Sequence, residues 1–223
     1  MKLIDYSDVE IRSLWNDYAD TRNKGLKKTA NNKLKNLIEF VNSKSNEDKK
    51  AFVDYLCNEK FEKRNIEDFQ HPLVENLILP VIAPMVENDQ MPYLRWSYEL
   101  NRACYNSEEI LLKANKVDPS DIKTVTLLID MYMNELWYGS HHLPEFILIN
   151  EKEANECLSR VSDIVKKYED KINPQELYED INYYRDLYDS WFAYKNENSD
   201  FTFEQWCERN NKKFSWISAY YYE

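Results

Sequence analysis

The chain has 223 residues and a formal net charge of −11, from 40 Asp+Glu and 29 Lys+Arg, and that length buries a core without disulfide staples. It holds only two glycines, Gly25 and Gly139, which excludes a P-loop or a dinucleotide-binding glycine turn, while the lack of Asn-Gly and Asp-Gly steps argues against a hairpin-rich β fold. The acidic balance disfavours nucleic-acid binding, where phosphate neutralisation dominates affinity, and directs attention to a protein partner, basic in character.

Helix-start chemistry then recurs along the chain. Ser7-Asp8-Val9-Glu10 reads as a capping box, the Ser7 hydroxyl accepting from the Glu10 N–H, and opens a helix near 7–23. Apolar residues three and four apart predict helices near 27–43 and 46–63. The stretch 72–88 carries Pro80 and Pro84 inside an apolar run. Each proline removes a helical hydrogen bond and crowds the preceding turn, so a kinked or broken helix at the centre of the core is expected.

Helices near 92–104 and 107–117 follow, the second capped by Asn106 with Glu109. Asp118-Pro119 places proline at the first position of a helix near 119–138. Gly139 suits the end of that helix and Pro144 blocks an immediate restart, so 139–150 is the weakest stretch of the chain, with Phe146–Ile149 extended as a strand-like connector. Asn150 with Glu153, Asn173 before Pro174, and Thr202 with Gln205 open helices near 151–170, 174–195 and 203–210. The expected fold is all-α, one domain over 1–223 built as a single compact array of antiparallel helical hairpins, with a possible boundary only near 139–150.

Cys57, Cys104, Cys157 and Cys207 are widely spaced without a C-x-x-C pair, which fits buried free thiols in a reducing compartment, the cytoplasm. The opening Met1-Lys2-Leu3-Ile4-Asp5 lacks the apolar run of a signal peptide, and no stretch reaches the length of a membrane span.

Residues 107–138 read as two helices joined at Asp118-Pro119, with Leu111, Ala114 and Pro119 at the large, small and terminal-proline positions of a tetratricopeptide hairpin. The segment resembles a tetratricopeptide-like helical-repeat protein of bacterial type. That resemblance implies an α-hairpin scaffold in the middle of the chain that binds proteins or peptides, and it implies no catalytic residue.

Histidines gather only around Glu135, His141, His142 and Glu145. Imidazole and carboxylate groups suit a metal or acid/base chemistry, and this cluster defines the alternative reading, a metal-dependent or acid/base enzyme. Against it, the chain has no HExxH or Glu-x-x-His spacing, and adjacent histidines on a helix diverge by about 100°. The simpler account puts His141 and His142 in the turn after a helix C-terminus, bonding its orphan carbonyls. His71, before Pro72, reads as a surface residue. No nucleophile motif occurs, and no cofactor is called for.

Residues 174–223 carry Tyr178, Tyr183, Tyr184, Tyr188, Tyr194, Tyr220, Tyr221 and Tyr222 with Trp191, Trp206 and Trp216. Leu177, Ile181, Tyr184, Tyr188 and Trp191 form one apolar stripe at helical spacing. Off that stripe, Tyr178, Glu179, Tyr183, Asp186 and Asp189 compose an acidic, aromatic face suited to a basic protein. Lys24, Lys27, Lys28, Lys33 and Lys35 read as a solvated helix face rather than a nucleic-acid patch.

These features predict a non-enzymatic protein-binding module, in its most specific form a bacterial immunity or antitoxin-type protein capping a basic partner. A homo-oligomer through the aromatic C-terminus is a third reading.

Overall fold

The computed structural model describes residues 1–100, 107–197 and 200–215. The fold is all-α, and no strand occurs among the described residues. Contacts divide the chain into two compact units, Met1–Asp118 and Pro119–Glu223, so the division falls at the Asp118-Pro119 step, upstream of 139–150. The acid is divided as unevenly. Residues 1–118 carry 20 Asp+Glu and 18 Lys+Arg, net −2, whereas residues 119–223 carry 20 and 11, net −9.

In the first unit, α1 (Val9–Asn23) and α2 (Lys27–Asn42) form a hairpin. Gly25 makes the turn at φ +74°, where the Leu26 N–H reaches the Thr21 carbonyl and the Gly25 N–H the Arg22 carbonyl; this left-handed position favours a residue without a Cβ. The helix start corrects the expected capping box: Asp8, not Ser7, is the cap, its carboxylate accepting from the Glu10 and Ile11 N–H groups. The N-terminal residues are strapped to α1 by Asn16, which bonds both backbone groups of Ile4, and by the Trp15 indole, which donates to the Lys2 carbonyl.

Next, α3 (Asn46–Cys57) runs directly into a π-helical turn, Asn58–Glu62. The turn carries Phe61 into the core against Phe69 and Trp96. It also sets the Glu62 carboxylate 2.6 Å from the guanidinium of buried Arg95 and 3.0 Å from the Trp96 indole nitrogen.

A continuous helical rod follows: α4 (His71–Leu73), a second π turn (Val74–Ile78) and α5 (Leu79–Glu87). Of the kinked or broken helix expected here, the chain shows no break, but its α-helical pattern is interrupted by the π turn just before Pro80, and the prolines do not lie in the core. Both Pro80 and Pro84 are exposed, and only one stripe, Leu73, Leu77, Ile78 and Ile82, is buried. The π turn ends just before Pro80, with the Leu79 N–H on the Val74 carbonyl. The Asn76 carbonyl, four residues before a residue that has no N–H to give, accepts from the Asn42 side chain at 3.1 Å instead. The unit ends with α6 (Tyr93–Leu100) and α7 (Ser107–Val117) packed on each other. Asn106, the expected cap of α7, and Cys104 lie outside the described residues.

The second unit contains α8 (Ile122–Ser140), α9 (Glu151–Lys167), α10 (Pro174–Asn196) and α11 (Phe203–Arg209). Here α9 packs on both α8 and α10, and α11 on α10. Asp121, not Asp118, occupies the cap position of α8, so Pro119 lies in the turn before the helix. The capping boxes at Asn150 with Glu153 and Thr202 with Gln205 form as expected, and Pro174 takes the first turn of α10.

Tyr132 and Leu136 of α8, Cys157, Val161 and Val165 of α9, and Ile181 and Tyr188 of α10 are buried. A further cluster joins Leu143, Leu187 and Trp191 to Phe203, Trp206 and Cys207. Residues 141–150 form a turn and an irregular segment rather than a strand-like connector, closed by the Leu148 N–H on the Gly139 carbonyl. The two helices of the tetratricopeptide-like pair fall in different units, α7 packing on α6 and α8 on α9.

Candidate binding cleft

The second unit presents an aromatic cleft between the end of α8 and the middle of α10. It consists of two adjoining hollows, about 270 and 590 Å³, that share Trp137, Tyr183, Tyr184 and Ser215. Ser140, His141 and Leu187 complete the first, and Met133, Asn134 and Asp180 the second. Helical periodicity explains the membership: 133, 137 and 141 recur every four residues on α8, and 180, 184 and 187 recur at four and three on α10.

Close approach of α8 and α10 is built on Gly139. A Cβ there would stand 2.4 Å from the Tyr188 hydroxyl and 2.7 Å from the Ile149 side chain. The Tyr188 hydroxyl is thereby free to donate to the Leu136 carbonyl at 2.7 Å. Gly139 is thus a contact residue inside the helix, which runs on to Ser140, rather than the cap beyond its end.

The segment after α11 supplies the third wall. Tyr183 donates its hydroxyl proton to the Ser215 carbonyl at 3.2 Å and accepts from the Ser215 N–H at 3.1 Å. Phe214 packs edge-on against Tyr183, and Lys212 forms an ion pair with Asp186. Burial, with the neighbouring Tyr183 and Asp180, raises the Tyr184 phenol above its usual range. Asp180 itself is exposed and forms no hydrogen bond or ion pair among the described residues.

The end of α8, which lines the cleft, and the turn after it carry large exposed apolar side chains. Trp137, Tyr138, Phe146 and Leu148 are 52, 59, 46 and 42% exposed. His141 stacks on Trp137 and Tyr138, and His142 stacks on Phe146, with ring centroids 4.6 to 5.5 Å apart. Exposed aromatic area of this kind in one place marks contact surface more than chance scatter does.

Of the four residues of the enzyme alternative, His141 and His142 come together at the end of α8, their ring centroids 4.1 Å apart. His141 caps α8, its Nδ1 bonded to the Tyr138 carbonyl, and His142 lies in the following turn against Phe146. The Glu135 carboxylate is 3.9 Å from the Cys157 thiol of α9, and Glu145 is exposed on the turn. Among the described residues no group of three or more His, Cys, Asp or Glu side chains is placed to hold a metal ion. The cause is helical geometry: Glu135 is six residues before His141, so the two leave α8 about 120° apart.

The five α10 residues read as a binding face meet different fates. Tyr183 and Asp186 hold the C-terminal segment. Tyr178 is paired with Glu169 at 3.4 Å, and Glu179 accepts from Gln175. Asp189 is exposed. Trp216, Tyr220, Tyr221 and Tyr222 lie outside the described residues. Sequence reading missed Trp137 and Asp180, although Trp137 adjoins the string 138–145 and Asp180 stands one turn before Tyr183 and Tyr184.

Elsewhere, the lysines of the α1–α2 hairpin behave as a solvated face: Lys24, Lys33 and Lys35 pair with Asp20, Asp17 and Glu39. A hollow of about 480 Å³ beside α2, lined by Leu34, Ile38 and Pro72, gathers no comparable chemistry.

Cys57, Cys157 and Cys207 are free and buried. Burial raises the Cys57 thiol well above its usual range and pushes Cys207 up to about 11. No helix among the described residues is long and apolar enough to cross a membrane.

Compared with protein-family models, with curated proteins and with solved structures, the chain matches none of them. The tetratricopeptide-like resemblance therefore rests on its own few residues.

Proposed function

We propose that this chain is a protein-binding module whose residues 119–223 hold a basic partner, in its most specific form as an immunity or antitoxin-type cap. The observation that carries the reading is the coincidence, in one unit, of net charge −9 with the exposed side chains of Trp137, Tyr138, Phe146 and Leu148. Large aromatic side chains provide the desolvated anchors of an interface, and a one-signed surface steers a partner of the opposite sign. The contact centre lies at the end of α8 and the turn after it, with the α10 carboxylates Glu179 and Asp189 as flanking charge.

The test is calorimetric titration of the full chain with a short oligo-arginine peptide at low and high salt. Binding that weakens as salt rises, and that drops about tenfold in Trp137→Ala or Phe146→Ala, supports the reading. An acidic protein that ignores the peptide at low salt overturns it.

A further inference from the structure

We propose that the hollow lined by Trp137, Tyr184 and Asp180 is an arginine socket, taking the planar guanidinium of a partner side chain; this rests on the basic-partner reading and deepens it. Three observations converge. The first is geometry: Trp137 and Tyr184 line a hollow of about 590 Å³ together with Tyr183 and Asn134. That volume admits a side chain, and aromatic faces attract a cation through their negative quadrupoles. His141 stacks on Trp137 at 5.5 Å and 23°, so the indole is packed against a neighbouring ring.

The second is the carboxylate. Asp180 lines the same hollow and has neither hydrogen bond nor ion pair among the described residues, unlike Asp186, which Lys212 neutralises. An uncompensated carboxylate beside aromatic faces accepts two parallel N–H groups from a guanidinium, whose flat surface stacks at the same time; an ammonium ion offers neither the fork nor the plane.

The third is complementarity at longer range. The unit carrying the hollow has net charge −9, so a basic chain is drawn to it before any specific contact forms. The hollow's tyrosine wall is also held in place, because the Tyr183 hydroxyl is bonded to both backbone groups of Ser215. A fixed wall lowers the ordering cost of binding.

The experiment uses the full chain and N-acetyl-arginine amide, following the Trp137 indole N–H by NMR, with the signal assigned through Trp137→Phe. The expected result is a saturable shift of that signal, absent with the neutral isostere N-acetyl-citrulline amide. Asp180→Asn should weaken binding about tenfold, and N-acetyl-lysine amide should bind about threefold or more weakly than the arginine compound. An equal response to citrulline shows a site for planar polar groups and overturns the socket.

Oligo-arginine binding that is salt-sensitive yet unchanged in Asp180→Asn and silent at Trp137 overturns the socket and leaves the basic-partner reading standing. Failure of oligo-arginine to bind at all overturns that broader reading. Circular dichroism of the Asp180→Asn and Trp137→Phe variants checks that each retains its helices, as expected for substitutions at exposed positions.

Discussion

Gly139 shows how much one hydrogen atom in place of a methyl group decides. Its backbone angles are helical, so its value lies in space: a Cβ would collide with the Tyr188 hydroxyl and Ile149. Gly139→Ala, which raises helix propensity, should nonetheless destabilise by about 1–3 kcal/mol through overpacking, read as a lowered urea midpoint. Adding Tyr188→Phe removes the hydroxyl end of the clash and should recover part of the loss, whereas independent effects would simply add. The glycine was visible in the sequence, but its partner was not, because 49 positions separate Gly139 from Tyr188. The same holds for Tyr183 and Asp186. Their types and spacing were legible, yet their engagement with Ser215 and Lys212 depended on where the chain after α11 returns.

Among the elements, helix identity followed from local chemistry and helix detail did not. The difference at the start of α1 is one residue: Asp8 accepts from two backbone N–H groups where Ser7 was expected to cap. Asp8→Ala should cost about 1 kcal/mol, while Ser7→Ala should stay within about 0.5 kcal/mol; equal costs in chemical denaturation would restore Ser7 as the cap.

Asp8 also predicts a pH dependence. Its carboxyl is held below the usual range chiefly by the Ile11 N–H, against a burial effect of opposite sign, with Lys44 assisting. A depressed folded value means its contribution is present above the unfolded pKa of about 4 and is lost as pH falls through the folded value. Asp8→Asn keeps an acceptor and should flatten that part of the acid limb. The helical run His71–Glu87 makes the complementary point: two prolines in one apolar run predicted a kinked or broken helix, and the chain stays helical through a π turn. The i→i−5 bond of a π turn and a carbonyl donor-partner from α2 absorb the missing N–H, and neither compensation is written next to the prolines.

At the scale of the molecule, packing determines both reactivity and where function can reside. With Cys57, Cys157 and Cys207 buried and the Cys57 and Cys207 thiols shifted upward by desolvation, these three should react slowly with a thiol reagent in native protein at neutral pH and promptly in denaturant. Rapid labelling of all three in the native state would contradict the packing of both units. The division of charge is likewise a property of the whole chain: −2 before Pro119 and −9 after it, which concentrates the negative potential of the chain in the second unit. The sequence by itself determined the helical class, nearly every helix position, the buried free thiols and the acidic bias, because caps, periodicity and charge act over a few residues or in sum. Tertiary structure alone decided that Tyr183 clamps the returning chain and that Trp137 lines one hollow with Tyr184 and Asp180. Those relations join residues far apart in sequence, and the close approach of α8 and α10 at Gly139 is what brings Trp137 and Tyr184 to one cleft.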